Sequence, residues 1–105
     1  MKPFYMKINK DNPEVMNAAD LLLPNVGEII GASQREDDYD TLLGRMKEEG
    51  LDPTPYYWYL DQRKYGTVPH SGFGLGLERT IQALLNLDHI REACLYPRLI
   101  NRATP

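Results

Sequence analysis

Apolar residues follow two rhythms along this chain, alternating in its first third and near residue 75, and recurring at helical spacing elsewhere. Phe4, Met6 and Ile8 alternate with Tyr5 and Lys7, the period-two pattern of a strand, and Asp11-Asn12-Pro13 then turns the chain. A second strand is expected over 18–23. Pro24-Asn25-Val26-Gly27 reads as a turn, with a third strand returning over 28–33, antiparallel to the second. Tyr39, Leu42, Leu43 and Met46 fit one helix, with acids early and Arg45 and Lys47 late, as the helix dipole favours. Gly50 ends it. Thr54-Pro55 reads as an N-cap followed by proline at the first helical position, predicting a helix over 56–66. Its ring of Tyr56, Tyr57, Trp58 and Tyr59 reads as packing. Leu77, Ile81, Leu84 and Leu85 make one stripe on a last helix. The order predicts an α+β fold, an antiparallel sheet backed by helices.

Between the last two helices Gly72, Gly74 and Gly76 alternate with Phe73, Leu75 and Leu77. Alternate residues of a strand face opposite ways, so one face should carry three apolar side chains for a core while the other is bare backbone. Glycine weakens a strand interior, and such a row points to close approach by a ligand or by another backbone. A nucleobase is flat enough to lie there. A glycine-rich hairpin or a close sheet crossing is the plainer alternative. The dinucleotide fingerprint is excluded because Leu77 stands where its last glycine belongs, and a P-loop is excluded by the missing Gly-Lys-Ser/Thr. Glu78 and Arg79 follow at the helix entrance.

Composition narrows the setting. At 105 residues with 42% hydrophobic content, the chain is one small domain or part of one. A net charge of −3 without a basic block argues against binding nucleic acid through phosphates alone. The single Cys94 excludes an internal disulfide and fits a reducing compartment. Cys94 and His89 alone do not make a zinc site, and Cys94 reads as a buried small hydrophobe. No apolar run approaches bilayer length, so the expectation is a soluble, cytoplasmic chain without membrane contact.

The run Gly72-Phe73-Gly74-Leu75-Gly76-Leu77-Glu78-Arg79 resembles motif 3 of the class II aminoacyl-tRNA synthetases. Gly27-Glu28-Ile29-Ile30-Gly31-Ala32-Ser33-Gln34-Arg35-Glu36 resembles the strand pair that binds the amino acid in the aspartyl/asparaginyl branch. Leu87-Asp88-His89-Ile90-Arg91-Glu92 and Tyr96-Pro97-Arg98 are similar to that branch's C-terminal ending. Gln34-Arg35-Glu36 looks more asparaginyl than aspartyl. The resemblance covers essentially the whole chain. It implies the C-terminal segment of a class II catalytic domain over 1–105, with motif 3 at 72–79. Motif 1, motif 2 and the anticodon-binding domain are absent, which implies a fragment or a truncated relative.

The implied activity is ATP-dependent activation of asparagine to asparaginyl adenylate, then transfer to tRNA, by a protein that is a homodimer at full length. Such chemistry needs positioning and charge stabilisation more than covalent work. The resemblance assigns ATP to Glu28, Gly74, Gly76, Leu77, Glu78 and Arg79, with Arg79 as the catalytic arginine on adenine or triphosphate. Glu28 is also assigned to Mg²⁺, which takes hard oxygen ligands. Asparagine falls to Gly31, Arg35 and His70, Arg35 reading the side-chain oxygen with its donor fork. Each has an alternative: an ion pair with Glu36 or Asp38 for Arg35, a buried paired acid for Glu28, and a turn residue after Pro69 for His70. Two other functions stay open. One is an asparagine synthetase-like paralogue in which ammonia attacks an aspartyl adenylate. The other is a non-catalytic interaction module.

Overall fold

The computed structural model describes residues 3–104. Its elements run β1 (Ala18–Leu23), β2 (Gly27–Gln34), α1 (Tyr39–Glu48), a 3₁₀ turn at Thr54–Tyr56, α2 (Tyr57–Lys64), β3 (Ser71–Leu75), α3 (Leu77–Leu85) and a second 3₁₀ turn at Ile90–Ala93. The sheet has the order β1-β2-β3. The link of β1 to β2 is too short for a crossover, so these strands are antiparallel. Asn25 and Gly27 hold its turn with φ of 65° and 84°, the left-handed region open to those two residue types. Arg35 N–H donates to His70 O, and Gly76 N–H donates to Ile29 O, both at 2.9 Å. The partner number falls as the β2 number rises, so β3 is antiparallel to β2 as well. The expected α+β class and the β1 and β2 assignments hold.

The chain divides into two units, Met1–Ala19 with Ala32–Gly72, and Asp20–Gly31 with Phe73–Pro105. The first is built on Leu42, Met46 and Leu60, against which Phe4, Tyr39, Leu43, Leu51, Tyr56 and Tyr59 pack. Helix α1 starts where the Asp38 side chain accepts from Thr41 N–H at 2.8 Å. It ends in a Schellman arrangement: Gly50 N–H donates to Lys47 O, Leu51 N–H donates to Met46 O, and Gly50 takes φ of 71°. Buried polar groups here are satisfied. Arg45 donates to the carbonyls of Pro3 and Met6. Arg63 donates to Glu36 O, Tyr59 O and the Tyr59 hydroxyl at 3.0–3.1 Å, with its guanidinium 4.0 Å from the Tyr59 ring centroid.

Three expectations for this unit are corrected. The strand over 4–8 is instead a turn at Phe4 and Tyr5 followed by isolated bridges, Met6 with Arg35 and Ile8 with Met16. Its ladder gives way because the Phe4 ring packs edge-on against Tyr5, Tyr56 and Tyr59, and because Asn9 Oδ1 accepts from the N–H groups of Asp11 and Asn12. The helix expected over 56–66 begins as a 3₁₀ turn and its α-helical part stops at Lys64. Asp52, not Thr54, supplies the side-chain acceptor at its start, bonding Thr54 N–H at 2.9 Å. Of the four aromatic residues, Tyr56 and Tyr59 pack on the core while Tyr57 and Trp58 are exposed.

The second unit has Ile29 as its buried apolar residue. Helix α3 ends at Asn86, whose φ of 50° makes the left-handed cap that glycine supplies elsewhere. The apolar face expected of Phe73, Leu75 and Leu77 is not a core: Phe73 is 67% exposed, and Leu75 and Leu77 are about half open or more. Cys94 is half-buried rather than buried. No helix among the described residues is long and apolar enough to cross a membrane.

Candidate active site

In the second unit, parts of β1, β2 and β3 and the start of α3 put three kinds of group on the surface. The first is bare backbone. A Cβ built at Gly74 meets nothing within 4 Å, so the floor expected there is open. Gly76 is the N-cap of α3 with φ of −73°, and a Cβ there would rest 3.5 Å from Arg79 Cβ and 3.7 Å from Ile29 O. The second is Arg79, whose Nη1 donates to Glu28 O at 2.7 Å while the side chain stays exposed. That bond fixes the fork yet leaves other donors for a ligand. Leu77 and Glu78 make the first turn of α3, both exposed.

The third is a pair of carboxylates. A Cβ at Gly31 would lie 3.0 Å from Glu28 Oε1 and 3.6 Å from Asp20 Oδ1, so the two acids converge over that glycine. Glu28 is exposed, which removes the buried-acid alternative. Among the described residues no group of three or more metal-ligating side chains forms. Two carboxylates do fit Mg²⁺, which typically takes one or two from the protein and the rest from water and phosphate. Asp20 was missed by sequence reading, although it is an acid in a mostly apolar strand, the signal that singled out Glu28.

In the first unit Arg35 is half-buried and held on three sides. Nη1 donates to Ser33 Oγ at 2.8 Å, the guanidinium stacks 5.1 Å from the Tyr5 ring centroid, and Nη2 and Nε lie 3.1 and 3.2 Å from where a Gly72 Cβ would be. Gly72 is therefore glycine to admit this arginine. Among the described residues Arg35 has no ion pair with Glu36 or Asp38; Glu36 accepts instead from Lys7 and from the N–H groups of Asp37 and Asp38. Arg35 lines a cleft of about 390 Å³ with Phe4, Tyr5, Tyr56, Trp58 and Tyr59.

The remaining two residues assigned to asparagine have contacts of their own. His70 accepts the Arg35 backbone N–H through its carbonyl, but its ring turns to Val68 O at 2.8 Å and lines a different cleft, with Asp61, Arg63 and Tyr65 among others. Its ring makes the contact of a turn residue. Gly31 belongs with Glu28 and Asp20 in the second unit. Ser33, Tyr5 and Gly72 were missed. Ser33 was accessible, since a residue two before Arg35 on a strand shares its face; the Tyr5 stack spans too many residues to read from spacing.

The chain is similar to known proteins over its whole length. The cytoplasmic asparagine–tRNA ligase of Homo sapiens is 54% identical over 105 residues, all of this chain and 19% of that protein. The solved Entamoeba histolytica asparaginyl-tRNA synthetase in complex with asparaginyl-adenylate matches 99% of this chain and 24% of its own, with 53% identity and a TM-score of 0.93. The aspartyl-tRNA synthetase of the same organism matches all of this chain and 21% of its own at 34% identity and a TM-score of 0.89. The chain thus spans about a fifth to a quarter of these proteins' lengths. The family described as tRNA synthetases class II (D, K and N) matches residues 1–100, and the chain belongs to that family.

Proposed function

We propose that the chain is a segment of an asparagine–tRNA ligase: part of a cytoplasmic enzyme that activates asparagine with ATP and transfers it to tRNA. The observation that carries this reading is the gap between 53–59% identity to asparaginyl relatives and 34–40% to aspartyl ones over essentially the same residues. Within it, the chain corresponds to the C-terminal part of the catalytic domain, with motif 3 at 72–79 and the family's other motifs and anticodon-binding domain outside it. The full protein works as a homodimer.

The residues divide the task. Gly74 and Gly76 offer backbone to the adenine ring, Leu77 and Glu78 border it, and Arg79 carries its guanidinium to the base or the phosphates, where a planar fork serves stacking and charge alike. Glu28 with Asp20 would hold Mg²⁺, which supplies charge neutralisation to the departing pyrophosphate. Arg35 reads the asparagine amide oxygen, with Ser33 and Tyr5 fixing its fork. Gly31 keeps space between the two carboxylates, and His70 supports Arg35 through its backbone carbonyl. ATP–pyrophosphate exchange on the full polypeptide carrying this chain tests the reading. Exchange that depends on asparagine is expected. Dependence on aspartate would move the protein to the aspartyl branch or a synthetase-like paralogue, and no exchange with either would favour an interaction module.

A further inference from the structure

The second unit holds a cleft of about 560 Å³ lined by His89, Arg91, Arg98, Leu99, Ile100 and Asn101. Its charged lining is cationic, with Arg91 and Arg98 beside His89 and Asn101 and no carboxylate. Arg98 has no hydrogen-bond or ion-pair partner among the described residues. Arg91 spends its backbone N–H and Nε on His89 Nδ1, both at 3.1 Å, which leaves its two terminal nitrogens unused. Because Nδ1 of His89 accepts, the ring proton is on Nε2, a further donor. The nearby acid, Glu92, accepts from the His89 backbone N–H in a capping box and is not part of the lining. Leu99 and Arg102 exchange backbone hydrogen bonds at 2.8 and 3.1 Å and so fix the turn that carries Asn101. This concentration of donors stands on a chain whose net charge is −3.

We infer that this cleft binds a phosphate group. Two guanidinium forks, an imidazole N–H and an amide offer more donors than one carboxylate can use, and they suit a phosphate's several oxygens. The apolar sides of Leu99 and Ile100 leave room for what the phosphate is attached to, which is a strand of RNA or a small phosphorylated molecule. Sequence reading missed the site because no basic block exists; the fold gathers Arg91 and Arg98 from a stretch that also carries Asp88 and Glu92.

Fluorescence anisotropy of a short labelled oligouridylate, with inorganic phosphate titrated separately by calorimetry, tests this on the full polypeptide carrying this chain. Arg98→Ala and Arg91→Ala should each weaken binding about tenfold, as losing a charge-assisted hydrogen bond does. Arg98→Lys should fall between, because it keeps charge and loses the fork. For the oligouridylate, each alanine should also flatten the salt dependence by about 0.7 in log–log slope. Tight, arginine-dependent oligouridylate binding identifies RNA as the source. Arginine-dependent binding of inorganic phosphate alone identifies a small phosphate. Binding that is the same in wild type and variants, or no binding of either probe, overturns the inference. ATP affinity should not move in Arg98→Ala, which keeps this test separate from the nucleotide assignment at Arg79.

Discussion

Helices α1 and α3 show the same apolar periodicity and meet opposite fates. In the first unit Leu42 and Met46 are 0% exposed, and even Arg45, Arg63 and Glu36 are buried with their partners. In the second unit Leu84 of α3 is 76% exposed, and the glycine row beside it faces open space at Gly74. A periodic stripe says which face of a helix is apolar but not whether anything in this chain covers it. The difference separates two kinds of work: the first unit closes a core behind Arg35, whereas the second presents backbone and charge.

Core mutants separate the two units most sharply. Leu42→Ala should cost about 2–5 kcal/mol by opening a cavity. Leu84→Ala, on the exposed stripe, should stay within about 0.5 kcal/mol. Urea unfolding of both variants measures this, and equal losses would mean that α3 is covered in solution. A step smaller, Arg63→Ala should cost about 1–3 kcal/mol, because the buried Glu36 carbonyl loses its donor. A loss indistinguishable from that of an exposed arginine such as Arg98 would contradict the buried network.

The smallest effect is electrostatic. The hydrogen bond from Lys7 holds the Asp37 carboxyl below its ordinary pKa. Burial pulls Lys7 down, but the hydrogen bond to Asp37 and the attraction of Glu36 outweigh it, so its pKa rises. The Asp37 share of stability is therefore complete above about pH 4 and fades as pH falls through the lowered value. The Lys7 share is complete below about pH 10.4 and fades as pH rises through the raised one. Lys7→Met should remove about 0–1 kcal/mol at neutral pH and flatten the acid limb of a stability–pH profile. An unchanged acid limb would show that the pair does not form.

Much of the framework was legible in the sequence. The strands at β1 and β2, the acid-to-base gradient of α1 and the glycine row all follow from local spacing and turn chemistry. What escaped depends on distant partners. Alternation at 4–8 looks like a strand, yet Phe4 is committed to Tyr56 and Tyr59 on other elements, and the pairing that follows is reduced to isolated bridges. In the sequence the three glycines of the row look alike. Gly72 admits the Arg35 side chain and Gly76 caps a helix, so of the three only Gly74 is bare among the described residues. Asp20 and Glu28 come from different strands, and their convergence over Gly31 follows from hairpin register rather than from a motif.

On the proposed assignment, Arg35 in the first unit recognises asparagine, and Gly76 and Arg79 in the second recognise the nucleotide. Calorimetric titration of asparagine and of ATP into the full polypeptide, as wild type, Arg35→Leu and Gly76→Val, tests it directly. Arg35→Leu should lose asparagine binding, because the amide oxygen no longer meets a donor, and should keep ATP binding. Gly76→Val should lose ATP binding, because its side chain crowds Arg79, which already lies 3.5 Å from a Cβ there, and should keep asparagine binding. Equal loss of both ligands in both variants would contradict the division.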